Sequence, residues 1–401
     1  MRYFHWPRIE SLLIRGFDPY NEEQMRFDAS VVLRSNITKL ELRLTYVDRN
    51  VTEFSLLMTR LTSLTLIFCL LSQDQLDLMF SQLSSSSSLT ELAILMPLVN
   101  TYSAEENYLT DGLSKIHPET FVSAMSSIRN IKLRETGLTV DQINLFFQHI
   151  NTSNVIKSLD LIDKNLSQAN MDYMIQAFNS LESLSLHYGT LIGDVQMSMF
   201  LSSMAVKTSL TQLSLRNIKL NHINPNLLGR AVRKLSSLEI MISDLTSEQL
   251  DSVFISLAES RDLIHHLCFS HNDLSSLPPE LFVRVARTVR DLDVYNSKIT
   301  KDQMEGLMKA VSITPTALRE LNANYNDLSQ VDSQVLAQGV NQLHKAFLYK
   351  TELTEVQVDA ILDEGMRQSK LYHLDLRYNV RRTAPCYLTK YVKSRVFKIE
   401  I

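Results

Sequence analysis

The sequence predicts an α/β fold: a curved solenoid with parallel strands on its concave face and helices on its convex face. Three observations carry this. A repeat runs along nearly the whole chain, the first half of each unit has strand periodicity, and the second half has helix periodicity. The pattern apolar-x-x-apolar-x-apolar begins at Ile9, Ile37, Leu61, Leu89, Ile128, Ile156, Leu181, Leu210, Leu235, Ile264, Val289, Leu318, Leu343 and Leu371. Successive starts lie 28, 24, 28, 39, 28, 25, 29, 25, 29, 25, 29, 25 and 28 residues apart. Long and short units therefore alternate, and the step of 39 is a short unit carrying an inserted loop at about 97–110.

Each unit opens as a strand. In the stretch 210–220, Leu210, Leu213 and Leu215 point inward while Gln212, Ser214 and Arg216 alternate outward, the two-residue period that a strand imposes. A further apolar residue closes the turn, as at Leu138, Leu220, Leu274 and Leu328. The helix follows. In long units a Ser or Thr comes next and a Gln three residues later: Ser72/Gln75, Thr139/Gln142, Thr246/Gln249, Thr300/Gln303 and Thr354/Gln357. That is capping-box spacing, in which each side chain takes an orphan N–H at the helix start. Short units place proline near the first helical position instead, at Pro118, Pro225 and Pro279, where a missing N–H is harmless. Apolar residues then recur at helical spacing, as in Leu250, Val253 and Leu257, or Met304, Leu307 and Val311.

LxxLxLxxNxL followed by a helix, in alternating units of these lengths, resembles the leucine-rich repeat family over about residues 9–381, and the helical halves resemble its ribonuclease-inhibitor-like class. In that family Asn or Cys at one turn position bonds neighbouring units into a ladder. Here the position holds Cys69, Asn272, Asn326 and Asn379, but Thr136, Lys164, Ile218, Ser243, Ser297 and Thr351 elsewhere. The departures predict a weaker ladder in the middle of the chain. Three cysteines also set it apart from the Cys-rich ribonuclease inhibitors, so their partner is not carried over. No unit can bury its apolar side alone, so stacking predicts one solenoid over 1–401 with about 14 repeats. Residues 1–8, with Phe4 and Trp6, are expected to cap the first repeat, and the tail 382–401 to cap the last.

Composition narrows function. The 401 residues are 45% hydrophobic and 21% charged, which suits a folded chain rather than a disordered one. Forty Lys and Arg against 44 Asp and Glu give a net charge of −4, which argues against a nucleic-acid partner. Three cysteines make no disulfide framework and point to a reducing compartment. The N-terminus lacks the apolar core of a secretory signal, and the longest apolar stretch, 61–71, is too short to span a membrane, so a cytoplasmic protein is expected. Four glycosylation sequons, at Asn36, Asn50, Asn151 and Asn165, match chance.

No nucleotide loop, CxxC pair or HExxH is present, and no cofactor or metal is expected. His265, His266, Cys268 and His271 are the nearest to a metal cluster, but strand alternation puts only His266 and Cys268 on one side. Asp291 and Asp293 read as outward strand positions rather than a cation motif. The pointed feature is Asp291, Asp293, Tyr295, Glu320, Phe347 and Tyr349: exposed aromatics beside acids on the concave face. With strands ~4.8 Å apart, Tyr295 and Tyr349 fall roughly 10 Å from each other. The patch suits a protein partner with a basic surface. The expected function is a non-enzymatic scaffold for protein–protein interaction, acting as regulator, inhibitor or recruitment module. The alternatives are an activator of a small GTPase, or the ligand-sensing or substrate-recruiting part of an immune receptor or ubiquitin ligase adaptor.

Overall fold

The computed structural model describes residues 10–15, 26–27, 32, 35–43, 46–47, 51–69, 71–85, 88–95, 112–162, 164–187, 193–260, 262–313, 316–367, 369–379 and 398–400. Phe4, Trp6, the 97–110 loop and most of the 382–401 tail lie outside them. The chain forms two compact units, Met1–Gln196 and Met197–Ile401.

In the first unit, strands β1 (Ser11–Arg15), β2 (Lys39–Arg43), β3 (Ser63–Ile67), β4 (Glu91–Leu95), β5 (Asn130–Arg134), β6 (Ser158–Ile162) and β7 (Ser183–His187) pair in chain order, all parallel. In the second, β8 (Gln212–Arg216), β9 (Ser237–Met241), β10 (Ile264–Cys268), β11 (Val289–Asp293), β12 (Glu320–Asn322), β13 (Lys345–Phe347) and β14 (His373–Asp375) do the same. Each strand starts two residues into a sequence unit, except β10 and β11, which start on its first residue. A further strand, β15 (Lys398–Glu400), pairs with β14 through His373 and Lys398.

Register is set by the apolar positions. Leu40 faces Leu64, and Leu292 faces Leu321, so the inward side chains form continuous buried rows. A one-residue slip would turn every such row to solvent. Behind the sheet of the first unit, Phe80, Phe121, Phe146, Phe147 and Phe178 form a chain of rings 5.4–6.3 Å apart. In the second unit Phe254 packs 5.1 Å from Phe269 and 5.5 Å from Phe282. Buried rings of this size are each worth ~3–5 kcal/mol against alanine. Among the described residues, no helix is long and apolar enough to cross a membrane.

All five expected capping boxes form. Thr246 Oγ1 accepts from Gln249 N at 3.3 Å, and Gln249 Oε1 accepts from Thr246 N at 2.9 Å. The same pair of bonds joins Ser72 to Gln75, Thr139 to Gln142, Thr300 to Gln303 and Thr354 to Gln357. Pro118, Pro225 and Pro279 sit in the first helical turn. The glutamines also do something that their spacing does not reveal. Gln249 Nε2 reaches back one unit and donates to the carbonyls of Leu220 and Ile223, both at 2.6 Å. Gln142, Gln303 and Gln357 do likewise to Leu113 and Ile116, Leu274 and Leu277, and Leu328 and Val331. These four long units are thus clamped onto the short units before them.

Short units return the clamp with asparagine. Asn326 Nδ2 donates to Val294 O at 2.8 Å and Ala323 O at 2.9 Å, while its Oδ1 accepts from Ser297 N and Ile299 N at 3.1 and 3.0 Å. Asn272 and Asn379 repeat this toward Ser243 and Thr351. The expected weakening at Ser243, Ser297 and Thr351 therefore does not occur: their N–H groups are received by the asparagine of the next unit. Thr136 and Ile218 are true gaps. Thr136 Oγ1 is buried without a hydrogen-bond partner, and Ile218 offers no polar side chain.

In nine of the described turns a residue just past the strand takes left-handed backbone without being glycine. Phe68, Glu135, Asn217, Ile242, His271, Asn296, Tyr325, Lys350 and Tyr378 all have φ of 49–61°. Each lies seven residues after a pattern start. Long units add a second such residue two positions on, as at Asp244, Lys298 and Glu352. Non-glycine residues are uncommon there, and bulky ones are held only by what surrounds them.

Candidate functional site

In the second unit the outward side chains of β10 to β14 fall into three columns. Strand register places His266, Asp291, Glu320, Lys345 and His373 in the first, and Cys268, Asp293, Asn322, Phe347 and Asp375 in the second. The third lies just past the strand ends and is aromatic throughout. His271, Tyr295, Tyr325, Tyr349 and Tyr378 follow one another with ring centroids 5.0, 4.9, 5.3 and 5.0 Å apart. Long units contribute the ring from the last outward position, short units from the left-handed residue after it.

Tyr295 and Tyr349 stand two strands apart in this column, and Tyr325 fills the gap between them. The neighbouring Tyr325 hydroxyl raises the pKa of the Tyr349 phenol. Phe347 does not join the column. It lies against His373, with ring centroids 4.9 Å apart. His271, Tyr325 and Tyr378 escape a strand-period reading because position seven has already left the strand. Aligning the units at positions six and seven together would have exposed the five rings.

The three acids do not form a free rim. Asp293 accepts from Ser270 Oγ at 2.7 Å, Tyr295 N at 3.0 Å and Asn322 Nδ2 at 2.9 Å, so it fastens the turn that carries Tyr295. Glu320 is bridged by Lys345 at 2.7 Å. Asp291 sits across from Glu320 with Arg290 at 3.7 Å, and burial with the facing Glu320 pushes its carboxyl up. Cations stand over the rings: Lys350 Nζ lies 5.1 Å from the centre of Tyr325, and the Arg377 guanidinium 5.5 Å from that of Tyr349. Arg377 is itself bound to Asp375 at 2.7 Å.

Beside the columns, Glu239 binds Arg216 at 2.7 Å, Ser214 at 2.7 Å and His266 at 3.5 Å. Hydrogen bonds to Cys268 and Glu239 push the His266 imidazolium up to about 10, and Glu239 is held down to about 2, chiefly by His266. His265 is exposed on the other side of the strand, and His271 belongs to the ring column.

The first unit has a different outward face. Arg134 (β5) grips Asp160 (β6) at 2.5 and 3.2 Å, and His187 (β7) meets Asp160 at 3.3 Å. The Asp160 and His187 side chains are only 9% and 10% exposed. Hydrogen bonds from His187 and Arg134 outweigh burial and lower the Asp160 carboxyl. Ser185 Oγ lies 2.7 Å from His187 Nε2, so Ser, His and Asp are all present. They do not form a proton relay, because hydroxyl and carboxylate meet the same nitrogen, and a relay needs them on opposite ones.

Strand order, register and the two side-chain clamps fix the architecture. The fold is that of the leucine-rich-repeat proteins. No protein-family model matches the chain, and no curated protein matches it. Solved structures do. The chain is similar to the leucine-rich repeat-containing protein LegL7 from Legionella pneumophila over 74% of its length and 96% of that chain, at 15% identity and a TM-score of 0.44. It is similar to a TLR13–ssRNA13 complex over 92% of its length and 56% of that chain, at 14% identity and a TM-score of 0.48. A chain of the Rad7 and Elc1 complex in yeast matches 80% of it over 71% of its own length, at 16% identity and a TM-score of 0.47.

Proposed function

We propose that this chain is a non-enzymatic scaffold that docks a protein partner on the outward strand face of its second unit, with the ring column as the anchor. The observation that carries the reading is five consecutive aromatic residues on one face, of which Tyr325 and Tyr378 are 37% and 75% exposed. Aromatic side chains bring large contact area at small entropy cost, and they dominate measured binding hot spots. Asp291, Asp293 and Glu320 enter this reading as supports and charge-setters at the column's edge. With Asp293 and Glu320 already bonded, a strongly basic partner gains little from them.

Replacing Tyr295, Tyr325 and Tyr349 together with Ala tests it. Partner affinity is expected to fall by more than about a hundredfold, since a hot-spot ring is worth ~2 kcal/mol or more. Phe347→Ala, one column away, should cost less than about tenfold. Affinity capture with quantitative mass spectrometry reads both, and circular dichroism checks the fold. Partner capture that survives the triple substitution in a folded protein rules the column out as the anchor.

A further inference from the structure

We propose that the ring column seats an extended, proline-rich segment of the partner, in polyproline II conformation and carrying an acidic residue; this rests on the reading above that the column is a docking surface. Neighbouring rings lie 4.9, 5.3 and 5.0 Å apart from Tyr295 to Tyr378. Alternate rings therefore recur at about 10 Å, twice the spacing of strands. Polyproline II rises ~3.1 Å per residue with three residues per turn, so residues i and i+3 share a face ~9.3 Å apart. A rod lying along the column brings one residue per turn onto every second ring. A β-strand ligand fails this match, because its residues i and i+3 cover the same length but point to opposite sides.

A helix also repeats near the ring spacing, and the side-chain chemistry decides against it. The column is one ring wide, and the adjoining column of Cys268, Asp293, Asn322, Phe347 and Asp375 is broken by polar side chains rather than forming a continuous apolar groove. A helix satisfies its own carbonyls, whereas polyproline II leaves every carbonyl free for an outside donor. Four of the five rings are tyrosines, whose hydroxyls supply such donors at the rim of each ring. A nucleic-acid strand is disfavoured too: the tyrosines pack on one another at interplanar angles of 45–63°, leaving no slot between rings for a base.

One further feature points to a ligand. Lys345, Lys298 and Arg377 are each bridged to a carboxylate, but among the described residues Lys350 is in no ion pair and stands over the Tyr325 ring. An acidic residue in the ligand would complete it.

Fluorescence anisotropy on the full chain tests this, with labelled Pro-Pro-Glu repeats as probe and Pro-Pro-Gln repeats, Ala-Ala-Glu repeats and oligothymidylate as comparators. Saturable binding of Pro-Pro-Glu is expected, weakened at least about tenfold by Tyr325→Asn, a residue that accepts the left-handed turn. Lys350→Gln should weaken Pro-Pro-Glu and leave Pro-Pro-Gln unchanged. No binding of Pro-Pro-Glu, equal binding of Ala-Ala-Glu, or preferred binding of oligothymidylate overturns the proposal. So does a dimer that Tyr325→Asn dissociates, since a second copy would then own the column. If the tyrosine-to-alanine triple abolishes partner capture while Pro-Pro-Glu fails to compete, the docking surface stands and the proline-rich segment falls. If capture survives the triple, the docking surface itself falls.

Discussion

The two units of this chain hold their repeats together differently. In the second, successive seams from 210 to 379 are closed by Gln249, Asn272, Gln303, Asn326, Gln357 and Asn379 in strict alternation. In the first, Gln142 and Gln196 close seams, the latter with one bond to Ser167 O at 3.1 Å, but no asparagine holds the ladder position, and Asn144 and Asn151 cross one seam with single bonds to Asn170 N at 2.7 Å and Tyr173 O at 3.4 Å. Cys69 stands in, donating through sulfur to Leu42 O at 3.2 Å. A carboxamide offers two donors and two lone pairs, whereas a thiol is a single weak donor. The outward faces differ in the same sense. The first unit uses Arg134, Asp160 and His187 to satisfy one another, while the second leaves a line of rings open on its better-clamped framework. A site held on rigid elements loses less entropy on binding, which favours the second unit as the platform.

The largest expected effect breaks a clamp. Asn326→Ala strands the N–H groups of Ser297 and Ile299 and the carbonyls of Val294 and Ala323. At ~1–3 kcal/mol per buried orphan, a loss of at least about 4 kcal/mol is expected in denaturant melts. A loss under about 1 kcal/mol would show that the asparagine ladder carries little.

Next comes the sealed charge cluster of the first unit. Asp160→Asn leaves the Arg134 guanidinium facing His187 at 3.3 Å with no carboxylate between them. The cost should be about 3 kcal/mol, because removing one partner of a buried pair exposes the desolvation of the other. Equal stability of variant and parent would mean that the cluster is solvated rather than sealed.

The pH response sharpens the contrast on the second unit's side. His266 is raised from 6.5 to about 10 on folding, so its contribution is complete below pH 6.5 and is lost as pH climbs toward 10. Glu239 is lowered from 4.5 to about 2, so its contribution is present above pH 4.5 and lost as pH falls through 2. His266→Gln should flatten the alkaline limb of a stability–pH profile. An unchanged limb would remove His266 as its source. The smallest effect lies at Thr136, whose buried hydroxyl lacks a partner. Thr136→Val should gain about 1 kcal/mol in the melting profile, and a loss would mean that a bound water serves the hydroxyl.

The repeat, the alternation of unit lengths and the capping boxes are local, and local patterns survive in one dimension. Leu213 and Leu215 announce a strand, and Thr246 with Gln249 announces a helix start, because each depends on neighbours within a turn of chain. Tyr295 and Tyr349 were visible for the same reason, as outward residues of strands already located. Tyr325 and Tyr378 were not. They sit on left-handed residues with no glycine or Asn-Gly signal, and the backbone takes that conformation because the stacked units require it.

What the amino-acid order determined by itself was the periodic skeleton: which residues turn inward, where strands give way to helices, and that units come in pairs. Only the tertiary structure decided what joins the pairs and what the outward side chains do. Gln249 reaches Leu220, Asn326 reaches Val294, and Asp293 gathers Ser270, Tyr295 and Asn322. These are bonds between units more than twenty residues apart or across a turn, and spacing along the chain does not say which acceptor a side chain will meet. The same limit separated Phe347 from the tyrosines and spent the carboxylates that appeared free. A side chain's neighbours across a parallel sheet are fixed by register, and register is set by the buried rows as a whole.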